Sequence, residues 1–83
     1  MPHTAPKPVN FSDLKRGMTA RVTALTVKNE ETERLEEMGL TVGTEFSVVK
    51  VAPFGDPIEI ELRGYRLCLR KRETSGFEIE LTS

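Results

Sequence analysis

The chain has 83 residues, with 12 Lys and Arg against 13 Asp and Glu, a formal net charge of −1, and 37% hydrophobic residues. That is material for one domain with a small core, burying roughly 60–65% of the surface its unfolded chain exposes, and it leaves no room for two catalytic lobes around a nucleotide-sized cleft. Balanced charge supplies no global field toward nucleic acid or a membrane surface, while a single cysteine and a single histidine exclude an internal disulfide, a multi-thiolate zinc site and a multi-histidine centre.

Residues 1–10 hold three of the five prolines and almost nothing to bury, so they are expected to form a disordered lead before a domain spanning 11–83. The opening has no apolar core of a secretory signal, and no run approaches the ~20 residues of a membrane span. The expectation is a soluble, cytoplasmic protein. Phe11 to Leu14 predict one short turn with Ser12 as its N-cap and Gly17 as a stop. From Thr19 the period changes to two: Ala20, Val22 and Ala24 alternate with Arg21 and Thr23, as in a half-buried strand. Residues 29–38 predict a helix, with Asn29 as cap, Glu30 and Glu31 in the first turn, and a Glu30–Arg34 pair four apart. Leu35 and Met38 share its apolar face, and Gly39 suits the left-handed position after it.

Strands follow. Phe46 and Val48 alternate with Glu45 and Ser47, and Val49 and Val51 break that phase, which predicts a bulge or a strand buried on both faces. Ile58, Ile60 and Leu62 alternate with Glu59, Glu61 and Arg63. Leu67 and Leu69 alternate with Arg66, Cys68 and Arg70, and Phe77, Ile79 and Leu81 with Glu78 and Glu80. With Gly64 leading a two-residue turn, Leu62 faces Leu67, Glu61 faces Cys68, Ile60 faces Leu69 and Glu59 faces Arg70. The fold class is all-β: about five short strands and one small helix forming a small barrel.

The chemistry of catalysis is missing. There is no phosphate loop and no nucleophile elbow, and a His3–Cys68 pair requires the tail to reach a strand. Glu59 with Glu61, and Glu78 with Glu80, could hold an oxygen-ligated cation, but a solvated strand face explains them. Cys68, between Arg66 and Arg70, is expected as a small semi-buried residue. Arg63, Arg66, Arg70, Lys71 and Arg72 put five basic residues in ten positions. The neighbouring glutamates should offset them, and aromatics for base stacking are scarce, so nucleic acid is not the expected partner. Neither a cofactor nor a resident metal is expected. The loop Pro53-Phe54-Gly55-Asp56-Pro57 joins two strands. Its glycine and prolines suit a rigid turn, which leaves Phe54 unexplained, because a phenyl ring at a loop tip either folds back or meets a partner.

Several segments in order carry a resemblance: Arg34-Leu35-Glu36-Glu37-Met38-Gly39-Leu40, then Gly43, then Ala52-Pro53-Phe54-Gly55-Asp56-Pro57-Ile58-Glu59-Ile60, then Arg63-Gly64-Tyr65-Arg66-Leu67-Cys68-Leu69-Arg70. Together, over roughly residues 11–81, the chain resembles the FeoA family of bacterial ferrous-iron uptake. Cys68 departs from the small apolar residue usual there. The resemblance implies an SH3-like barrel and a regulatory adaptor, not an enzyme, on the cytosolic side of a FeoB-type permease. On that reading Phe54, Gly55 and Asp56 form a contact loop, with Met38 and Leu40 as a neighbouring apolar edge; core packing is the competing explanation for the last two. The alternatives are a protein that senses or carries Fe2+, and a freestanding relative of the SH3-like domain of iron-dependent repressors. Exposed barrel edges also make weak self-association an expectation.

Overall fold

Period-two alternation builds strands, and in the computed structural model, which describes residues 8–82, it builds six. They are β1 (Pro8–Val9), β2 (Thr19–Leu25), β3 (Glu45–Val51), β4 (Ile58–Leu62), β5 (Tyr65–Leu69) and β6 (Phe77–Leu81), in one sheet of order β1-β6-β2-β3-β4-β5 with every pairing antiparallel. All five longer strands send side chains into a single core: Ala20 and Val22 from β2, Phe46 and Val48 from β3, Ile58, Ile60 and Leu62 from β4, Leu69 from β5, and Phe77 and Ile79 from β6. One cluster fed by every strand requires the sheet to curl around it.

Three short helical pieces complete the chain. A 3₁₀ turn (Phe11–Asp13) carries Phe11 inward, where its ring stacks on Phe46 with centroids 5.8 Å apart. Helix α1 (Glu30–Glu37) is capped as expected: Asn29 Oδ1 accepts from the Thr32 amide at 2.9 Å, and Gly39 beyond its end has φ +110°. It buries Thr32 and Leu35. Helix α2 (Lys71–Thr74) was not expected. Its four residues lie within and beside the basic run, too short for any helical period to show.

The anticipated irregularity in β3 is a register shift between Val48 and Lys50, leaving Val49 unpaired opposite β4. Other expectations need correcting. The disordered lead assigned to residues 1–10 lies outside the described residues as far as position 7, but Pro8 and Val9 pair with Glu80 and Ile79. Asn10, not Ser12, caps the 3₁₀ turn, its amide donating to Asp13 Oδ2 at 3.1 Å. Glu30 and Arg34 form no ion pair: among the described residues the ion pairs are Arg21–Glu80 at 3.0 Å and Arg66–Glu59 at 3.3 Å.

The β4–β5 hairpin turns one residue earlier than expected. Its central residues are Arg63 (φ +50°) and Gly64 (φ +85°), both left-handed, as a type I′ turn demands. Leu62 therefore faces Tyr65, Glu61 faces Arg66, Ile60 faces Leu67, Glu59 faces Cys68 and Ile58 faces Leu69. Each β4 residue meets a partner two positions earlier than anticipated. Because two is a whole side-chain period, the apolar and charged faces survive the error.

Candidate functional site

Residues 52–57 connect β3 to β4 and project the most exposed large apolar side chain described. The loop is tied at its base, where the Ala52 amide donates to the Pro57 carbonyl at 3.1 Å, and tightened by the Gly55 amide donating to the Ala52 carbonyl at 2.7 Å. Gly55 takes φ +85°, a conformation a side chain would strain. Asp56 turns back toward the fold: its Oδ1 accepts from the Lys71 amide at 3.0 Å, at the first turn of α2. These bonds hold the loop while Phe54, at its tip, stays 93% exposed. Held out in water by an anchored loop, the ring adds nothing to the core.

The other expected contact residues behave differently. Leu40 is 0% exposed and belongs to the core, so it offers a partner nothing. Met38 is partly buried against that core. What the Met38–Leu40 segment presents is Tyr65, 42% exposed, lying across Gly39. A Cβ on Gly39 would overlap Tyr65 Oη and press on Leu62 Cδ1 at 3.2 Å. Expected within the turn, Tyr65 instead begins β5, in phase with partly buried Leu67 and core Leu69.

The basic run lies on the β5 side of the molecule. Arg66 Nη1 reaches Glu59 Oε2, and the two line an open depression of about 530 Å³ with Arg16, Val49, Lys50 and Val51. The expected compensation by glutamates stops there. Arg63, Arg70, Lys71 and Arg72 have no ion pair among the described residues. Glu80 is engaged with Arg21 on β2, and β6 lies four strands away from β5. Cys68 is exposed rather than semi-buried, opposite Glu59 rather than Glu61. No three His, Cys, Asp or Glu side chains gather as a metal-holding group among the described residues, and no helix of theirs is long and apolar enough to cross a membrane.

Comparison with known proteins joins these observations to a family. The FeoA domain model matches residues 9–81. A Fe(2+) transport protein A/Fe(2+) transporter FeoB fusion protein of Porphyromonas gingivalis is 29% identical over 75 residues, covering 90% of this chain and 9% of that relative's own length. Among solved structures, iron(II) transport protein A of Clostridium thermocellum superposes with a TM-score of 0.81 at 39% identity, covering 89% of this chain and 46% of that one. The zinc-complexed FeoA of Stenotrophomonas maltophilia, a prokaryotic SH3-domain protein, gives 0.69 at 25% identity over 83% of this chain and 86% of its own. The curled antiparallel sheet is thus the SH3-like barrel expected of it, and with nearly its whole length matched the chain belongs to the FeoA domain family.

Proposed function

We propose that this protein is an accessory factor of ferrous-iron uptake that binds the cytosolic side of a FeoB-type permease and regulates or assembles it, without catalysis of its own. The observation that carries this reading is Phe54, 93% exposed on a loop pinned through Asp56 to α2. A side chain so placed gains most by entering an apolar pocket of another protein. The Porphyromonas relative supports the choice of partner, because it is a fusion of a transport protein A with a FeoB transporter. In a shared chain the two parts meet at high effective concentration. Phe54, Gly55 and Asp56 form the proposed contact loop. Tyr65, lying over Gly39, is an exposed ring at the opposite end of β4 from that loop, and Leu40 is core.

Titrating the isotopically labelled protein with the permease's cytosolic domain, and with membranes holding the whole permease, tests this. Saturable shifts at Phe54 and Gly55, lost in Phe54→Ala, are expected. No shift at the loop in either titration up to high micromolar partner sinks the proposal.

A further inference from the structure

The two edges of the sheet are treated differently. One is β1, two residues long and begun by a proline that has no amide hydrogen to donate. The other is β5, five residues without proline, paired with β4 alone. In a hairpin closed by a two-residue turn, Tyr65, Leu67 and Leu69 direct their amides and carbonyls to β4, while Arg66 and Cys68 direct theirs outward. Those four outward groups have no hydrogen-bond partner among the described residues. The open stretch ends at Arg70, whose amide donates to Glu73 Oε1 at 3.0 Å.

Side chains say what fits. The outer face of this edge carries Arg66, the small Cys68, and Arg70, with Arg63 at the turn; all are exposed, and only Arg66 has a carboxylate partner. The opposite face shows half-buried Leu67 and exposed Tyr65. A second copy of β5 is a poor match, because antiparallel self-pairing centred on Cys68 sets Arg66 opposite the Arg70 of the other copy, and Arg70 opposite its Arg66. A strand alternating acidic with apolar residues matches both faces. The chain already contains that solution: Ile58-Glu59-Ile60-Glu61-Leu62 occupies the other side of β5 in this pattern.

We propose that β5 is a docking edge for an extended acidic segment of another protein, which adds antiparallel as a further strand. It bonds to the main chain of Arg66 and Cys68, sets its carboxylates against Arg63, Arg66 and Arg70, and lays its apolar side chains on Leu67 and Tyr65. This deepens the adaptor reading by naming a second class of contact, and it rests on that reading only in supposing a protein partner.

The test uses the whole labelled chain and a blocked nine-residue peptide alternating Glu with Val or Thr. It contains no permease, so its failure leaves the Phe54 reading standing, and a failure at Phe54 leaves this one standing. The largest amide shifts are expected at Arg66 and Cys68, saturable, and weakened roughly tenfold between low and high salt. Cys68→Pro removes an outward donor without touching the β4 ladder. It should abolish binding while the spectrum stays dispersed. If that variant fails to fold, Arg66→Glu/Arg70→Glu takes its place and should switch preference to a peptide alternating Lys with Val. Absence of shifts at millimolar peptide overturns the proposal, as does equal binding of the Lys peptide by the unaltered chain or undiminished binding by Cys68→Pro. Equal shifts with a short oligothymidylate would make the edge a bare polyanion site, and shifts that follow protein concentration without peptide would make it a self-association edge. Either result also overturns it.

Discussion

Gly39 sits where backbone freedom and close approach coincide. Its φ of +110° would strain any side chain, and the space a Cβ would need is taken by Tyr65 Oη and Leu62 Cδ1. Gly43 has a similar φ of +93° with nothing within 4 Å. Comparing the two separates the causes. Gly43→Ala should cost about 1–2 kcal/mol from backbone strain alone, and Gly39→Ala about 1 kcal/mol more, both read by urea denaturation. Tyr65→Ala in the Gly39→Ala background should return the steric part and not the backbone part. Arg63 is the converse case, a long-chain polar residue held at φ +50° where Asn or Gly is at ease. Arg63→Asn should therefore stabilise the fold by about 0.5 kcal/mol, visible as a raised denaturation midpoint. Nothing in the residue type marks Arg63 as left-handed, so the register of the hairpin was not legible from its turn.

At the scale of elements, the 52–57 loop and α2 form one unit, since Asp56 Oδ1 receives the Lys71 amide. A four-residue helix cannot sustain itself by its own hydrogen bonds. It stands here on that bond, on Glu73 accepting from Arg70, and on the buried Thr74 donating to the Lys71 carbonyl at 2.9 Å. Asp56→Ala should cost about 1 kcal/mol and speed hydrogen exchange at Lys71, whereas Asp56→Asn, which keeps the acceptor, should do neither. The sequence showed Asp56 as a loop residue before proline and the run from Arg70 to Arg72 as surface charge. Their meeting is a contact between positions 15 apart, and no local pattern reports it. The cap of α1 was legible for the opposite reason: Asn29 and Thr32 bond within one turn.

Across the whole molecule, the core and the proposed contact loop separate cleanly, and two substitutions draw the line. Leu40→Ala removes a fully buried side chain and should cost about 2–5 kcal/mol. Phe54→Ala removes a ring 93% exposed and should change stability by less than about 0.5 kcal/mol, so any loss of partner binding it causes is not a loss of fold. Thermal or urea unfolding of both variants checks the pair. Charge separates in the same way. The net −1 of the chain conceals a basic run flanking β5 in which Arg63, Arg70, Lys71 and Arg72 have no ion pair among the described residues, while Arg21 and Glu80 pair across β2 and β6.

Alternation along each strand is a local property with a period of two, and it determined the all-β class and the inward faces without reference to any neighbour. The break in phase at Val49 left a bulge and a doubly buried strand open until the pairing with β4 decided for the bulge. The ordered segments from Arg34 to Arg70 were likewise enough to carry the family. Which residues are near one another across the chain was decided by the tertiary structure. Leu40 is core because the strands close around it, and Arg66 finds Glu59 because the hairpin turns at Arg63. Arg63, Arg70, Lys71 and Arg72 are left without ion pairs because the acidic β6 takes its place beside β2 rather than beside β5. Such proximities depend on the order of strands in the sheet, and a pattern that repeats identically in β4 and β6 carries no information about that order.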